Sequence, residues 1–141
     1  MYEKFTRQLL PSKKYRELLG SSITVFNSNT SFVIENYLKI ETSNSFDWYS
    51  LIDMTSGRLK NSVQSEIKKA SNLKIMEKFE ELVEKRNRIV HSFQITDIDG
   101  EQRLASKDRN HVQFVITENY LHRFIKENEE LSEMLHKLRG Y

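Results

Sequence analysis

Cysteine is absent from these 141 residues, proline occurs once and glycine four times. Without cysteine there is no disulfide framework, no thiolate-ligated zinc site and no thiol nucleophile. So little proline and glycine leaves few turn positions for a many-stranded all-β fold, which favours helices. No apolar run approaches the roughly 20 residues that a membrane span requires. The opening stretch MYEKFTRQLL lacks the apolar segment of a secretory signal. A cytoplasmic protein without membrane contact is the expectation. A large excess of one charge is missing too: 22 Lys+Arg stand against 20 Asp+Glu, for a formal net charge of +2. Bulk electrostatics alone therefore does not identify a nucleic-acid binder.

Hydrophobic residues make up 38% of the chain and aromatics 11%. That suffices for one core, since a chain of this length buries roughly 65–70% of its unfolded surface. Residues 1–141 are read as a single domain with neither internal repeat nor low-complexity tract. After Pro11, Ser12 is placed to cap a first helix running to about Ile40, with Tyr15, Leu19, Ile23, Phe26, Val33 and Tyr37 at helical spacing. Ser22, Asn29 and Thr30 interrupt that stripe, marking either a break or a face that meets a polar surface. Thr42–Ser45 reads as a loop leading into Phe46–Met54, which carries the sole tryptophan, Trp48. Thr55 or Ser56 can cap a second helix through Ala70.

A third helix is expected from about Asn72, bearing Ile75, Met76, Phe79, Leu82, Val83, Ile89 and Val90. The period then shortens. Phe93–Ile98 alternates, Asp99-Gly100 is a strong hairpin-turn dipeptide, and Glu101–Ala105 can return. A short third strand over Val112–Ile116 precedes a last helix capped by Thr117 and ended by Gly140. The expected fold is mainly α: an antiparallel bundle of four to five helices, with a small β-hairpin over about 93–116 inserted before the last one.

On a helical wheel centred on Phe79, the apolar residues of the third helix fall within roughly 80° of it. Arg86 falls about 20° from that centre, inside the apolar stripe. A guanidinium there keeps its proton, so it must be paired or must reach a pocket. Glu80, Glu84, Asn87 and His91 share one shoulder of the stripe. The ordinary reading of such an arginine is a boundary residue whose stem snorkels toward a carboxylate. A histidine at a helix end is ordinarily a solvated or capping residue.

Taken together, Arg86-Asn87-Arg88-Ile89-Val90-His91 resembles the R-x4–6-H signature of the HEPN superfamily (higher eukaryote and prokaryote nucleotide-binding domains). In that family a polar residue, commonly Asn, follows the Arg, late in a long helix of an all-helical bundle. Glu81-Leu82-Val83-Glu84-Lys85-Arg86 also looks like the E-x3-K-R extension of some of its clades. The resemblance implies a metal-independent endoribonuclease with its site at a homodimer interface, in a toxin–antitoxin or phage-defence setting. In that scheme the ribose 2′-OH attacks the adjacent phosphate and leaves a 2′,3′-cyclic phosphate. His91 serves as general acid or base, because imidazole titrates near neutral pH. Arg86 clamps the phosphate bidentately, and Asn87 orients substrate or His91 one turn away. Arg86 and His91 point about 140° apart on one straight helix, which suits an interface site better than a self-contained one. Family toxins often carry a tyrosine two residues after the histidine as the target of AMP transfer by an antitoxin partner. Phe93 stands here and offers no hydroxyl to receive it. Other members are catalytically silent scaffolds, and a dimeric binding module of that kind is the alternative.

Further basic residues, Lys85, Arg88, Arg103, Lys107 and Arg109, are candidates for RNA-backbone contact beside the ordinary reading of a solvated surface. No metal or other cofactor is expected. His91, His111, His122 and His136 form no H-x3-H or HExxH pair, and Asp97–Glu101 reads as a turn rather than a calcium loop. There is no P-loop, dinucleotide fingerprint or nucleophile elbow.

Overall fold

A computed structural model describes residues 2–40 and 73–139 of the chain. Three helices, α1 (Lys13–Ile40), α2 (Leu73–Val90) and α3 (Glu118–Arg139), are joined by a small sheet between the second and third. Its strands β1 (Phe93–Thr96), β2 (Gln102–Lys107) and β3 (Gln113–Ile116) lie antiparallel in the order β1-β2-β3. The expectation of a four- to five-helix bundle with a small β-hairpin inserted over about 93–116 is thus corrected to three helices and a three-stranded antiparallel sheet among the described residues. The physical reason lies in β3. Its partners Leu104↔Ile116 and Ser106↔Phe114 turn Leu104, Phe114 and Ile116 toward the helices, so the sheet packs on them as a layer of its own rather than as a hairpin inserted into a bundle. The expected loop at Thr42–Ser45, the Trp48 segment and the helix from Thr55 or Ser56 to Ala70 lie outside the described residues.

The helix starts follow the capping residues. Ser12 Oγ accepts the Tyr15 backbone N–H at 3.2 Å, and Thr117 Oγ1 accepts that of Tyr120 at 3.0 Å, each taking up an otherwise orphaned donor. At the β1–β2 turn Gly100 adopts φ +85°, a conformation that favours glycine, and its N–H reaches Asp97 O at 2.9 Å. Arg103 closes the same turn by pairing with Asp97 and Asp99 at 2.8 and 2.7 Å. Its guanidinium holds the exposed Asp99 carboxyl down at about 2.

Helix α1 does not break at its polar positions. Asn29 faces α3 and donates from Nδ2 to the Asn128 backbone oxygen at 2.7 Å and to its Oδ1 at 3.0 Å. Asn128 in turn donates to Phe124 O at 2.9 Å, so this buried amide pair is satisfied within the α1–α3 contact. The core is centred on three rings, one from each helix. Phe26 lies 6.2 Å from Phe79 and 6.1 Å from Phe124, surrounded by Val33, Ile34, Leu82 and Leu131.

Tyr15 ties α1 to the sheet. Its hydroxyl donates to Ile116 O and accepts the Leu104 N–H, so it stands between two residues that are register partners in the β2–β3 ladder. Burial is the main cause that lifts this hydroxyl above its ordinary value of 10.0. The folded state therefore keeps a proton that the unfolded chain releases. The resulting stabilisation is present below that ordinary value and is lost as pH rises through the higher folded one. Tyr15→Phe leaves both backbone groups without their partner, and a loss of about 1–3 kcal/mol is expected. Urea unfolding at neutral pH checks it: the midpoint should fall without a change in slope.

Candidate functional site

Helix α2 carries the three residues singled out in the sequence. Its apolar stripe packs inward through Ile75, Met76, Phe79, Leu82, Val83 and Ile89, all buried. Arg86 belongs to that stripe, as its wheel position requires, and its guanidinium carbon lies 5.4 Å above the centroid of the Phe26 ring. The Nε of Arg86 is buried without a hydrogen-bond partner. Among the described residues no carboxylate pairs with it, and burial alone lowers its pKa from the ordinary value. The residue as a whole is only half-buried, so its outer end is not sealed in. This is an unusual arrangement for a cation. The ring face returns about 0.5–2 kcal/mol of attraction, yet among the described residues the charge lacks the carboxylate that normally accompanies burial.

Asn87 lies next on the shoulder of the helix, half-buried, and its carbonyl accepts the His91 N–H at 2.9 Å in the last full turn. Ser92 then closes the end, with Oγ donating to Ile89 O at 2.6 Å. His91 stands just past the last helical residue, with its side chain exposed. Arg86 and His91 thus emerge from different sides of α2: one against the core ring, the other into solvent at the helix end. No hydrogen bond joins them among the described residues.

The remaining basic candidates divide into two groups. Lys85 donates to both carboxylate oxygens of Glu127 on α3, at 2.7 and 2.8 Å. Arg88 pairs with Glu84 one turn back at 2.6 Å, and Arg103 is held by the turn aspartates. These three cations are spent on structure. Lys107 and Arg109 are exposed on and beyond β2. Arg109 reaches a groove of about 540 Å³ along α2, whose other walls include Glu77, Glu80, Glu81, Glu84 and Asn87. Lys85 and Arg109 line it too, but the four carboxylates outnumber them, so the shoulder that holds Asn87 is not a ready track for an RNA backbone.

Among the described residues no group of three or more His, Asp or Glu side chains is placed to hold a metal ion. No described helix is long and apolar enough to cross a membrane. Sequence reasoning did not find Phe26, the seat of Arg86. Helical periodicity locates a side chain on its own helix and carries no information about which ring of a distant helix it meets. The engagement of Arg88 was within reach, because Glu84 and Arg88 stand four apart on one helix. That of Lys85 was not, since Glu127 lies on another helix.

The chain matches no protein-family model, no curated protein and no solved structure.

Proposed function

We propose that this protein is a metal-independent endoribonuclease of HEPN type, working as a homodimer in a toxin–antitoxin or phage-defence setting. The observation that carries the proposal is Arg86, a half-buried guanidinium with an orphaned Nε and no carboxylate partner among the described residues. A cation held in this state is poised for an anion from outside, and a phosphodiester supplies one. His91, exposed at the end of the same helix, moves protons between the 2′-OH, the leaving 5′-oxygen and water. Arg86 offsets the charge that develops on the phosphate, and Asn87 positions His91 or the ribose. Because Arg86 and His91 leave α2 on different sides, the proposal takes the complete site to draw on two copies of the chain. Lys107, exposed on β2, supplies further contact to the backbone, and an antitoxin protein is the partner that restrains the activity.

The test is direct. End-labelled RNA incubated with the pure protein in EDTA is expected to yield fragments with 2′,3′-cyclic phosphate and 5′-OH ends. Fragments with 3′-OH ends, or cleavage that disappears with EDTA, would rule out this chemistry.

A second reading is a catalytically silent dimeric binding or scaffold module of the same type. It is favoured by the 5.4 Å seat of Arg86 on Phe26, which gives the guanidinium a packing role without any phosphate. That reading expects no cleavage, and a dimer or a co-purifying partner that survives His91→Ala.

A further inference from the structure

The segment before α1 is short, polar at its joints and firmly held. Tyr2 and Leu9 form an antiparallel bridge, and the N–H of Thr6 reaches Glu3 O across a turn whose central residues are Lys4 and Phe5. Thr6 Oγ1 accepts the Gln8 N–H at 3.1 Å. Arg16 of α1 clamps the base of the loop, donating to the Glu3 carboxylate at 2.8 Å and to Pro11 O at 2.9 Å. Gln94 of β1 donates to Leu9 O at 2.6 Å. The loop is therefore fastened both to the start of α1 and to the strand that begins two residues after His91.

What this anchored loop presents is at odds with folding alone. Phe5 is 74% exposed at a turn position where small or polar residues are usual, and Tyr2 is 64% exposed. Neither ring belongs to the core. The loop's one carboxylate, Glu3, is turned inward to Arg16, so its outward charges are Lys4 and Arg7, both exposed and both positive. Two rings interleaved with two cations on a rigid support match the pattern that binds unpaired nucleotides. Bases stack on the ring faces and cations take the phosphates between them.

We propose that the loop of residues 2–9 is a stacking platform for single-stranded RNA: Phe5 and Tyr2 stack unpaired bases, and Lys4 and Arg7 hold the adjoining phosphates. The choice of RNA rests on the ribonuclease reading above. The base of the platform is tied through Leu9 to Gln94, three residues after His91, and the platform gives that site a preference for unpaired over duplex substrate.

Binding can be measured separately from cleavage. In a His91→Ala background, a fluorescein-labelled single-stranded RNA is titrated by anisotropy against proteins that also carry Phe5→Ala, Tyr2→Ala, Phe5→Trp or the pair Lys4→Gln and Arg7→Gln. Each alanine is expected to weaken binding about ten-fold, and Phe5→Trp to preserve or tighten it. The Lys4/Arg7 pair should reduce the slope of log affinity against log salt by about 1.4, as two lost phosphate contacts require. The corresponding RNA duplex should bind more weakly than the single strand and be insensitive to Phe5→Ala. Phe5→Ala binding equal to that of its parent, or a parent that binds no single strand, overturns the platform. So does a Phe5→Ala protein that changes its oligomeric state by light scattering and keeps its RNA affinity, because the ring is then a protein contact. Cleavage lost in His91→Ala together with unchanged binding in Phe5→Ala leaves the nuclease standing and removes the platform; the reverse pattern removes the nuclease alone.

Discussion

His91→Ala is expected to slow RNA cleavage by about 10²- to 10⁴-fold, the range that one positioned acid–base group supplies. The side chain is exposed beyond the end of α2, and Ser92 rather than His91 closes that end with its hydroxyl. Losing the imidazole therefore removes no packing and no cap, and stability should stay within about 0.5 kcal/mol of the parent. The loss belongs in kcat more than in KM, because a proton-transfer group acts in the transition state. Single-turnover cleavage at saturating enzyme, set beside a thermal melt of the same preparation, measures both quantities. A rate unchanged within two-fold would take His91 out of the mechanism.

Arg86→Met gives the second large effect and separates the two readings of the site. Methionine keeps an unbranched stem on the Phe26 ring and removes the charge together with the orphaned Nε. Two terms oppose each other in the stability. The variant gives up a cation–π contact of about 0.5–2 kcal/mol. It also removes a buried donor without an acceptor, which costs about 1–3 kcal/mol. Partly buried, unpaired charge adds to the second side. A net stabilisation of about 1 kcal/mol follows, or a melting point roughly 3–5 °C higher. Cleavage should nonetheless fall by about 10²- to 10³-fold, as expected when a preorganised donor to a developing anion is removed. A variant more stable and less active than its parent identifies a residue kept for function. Destabilisation by more than about 2 kcal/mol would instead make Arg86 a packing residue and favour the silent module.

Much of the local structure could be read along the chain, for identifiable reasons. Ser12 and Thr117 cap helices because a hydroxyl at that position meets the free N–H groups of the first turn. Asp99-Gly100 turns the chain because only the glycine adopts a positive φ without a side-chain clash. The wheel placed Arg86 among buried neighbours, and there it lies. The long-range terms were out of reach. Nothing in α1 announces that its interrupted stripe stays helical because Asn29 finds Asn128 about a hundred residues later. The third strand at Val112–Ile116 was legible, but the bundle expectation failed because nothing along the chain announces that the sheet packs on the helices through Leu104, Phe114 and Ile116. At the candidate site, the basic residues looked interchangeable in sequence. Glu127, Glu84 and the turn aspartates neutralise Lys85, Arg88 and Arg103, and among the described residues they leave Arg86 as the cation on α2 without a carboxylate within this set.

Arg86 has no carboxylate partner among the described residues, and the guanidinium itself can report on what engages it. The measurement is a proton–nitrogen NMR spectrum of the arginine Nε–H groups in ¹⁵N-labelled protein, with and without an RNA oligonucleotide whose 2′-hydroxyls are methylated. Such an oligonucleotide has no free 2′-hydroxyl to attack the phosphate and stays intact. The Arg86 resonance, assigned by its absence from Arg86→Met, is expected to shift and to exchange more slowly with water as the phosphate engages the guanidinium. Those of Arg88 and Arg103, already held by carboxylates, should move little. An Arg86 signal unmoved at saturating oligonucleotide would contradict the account.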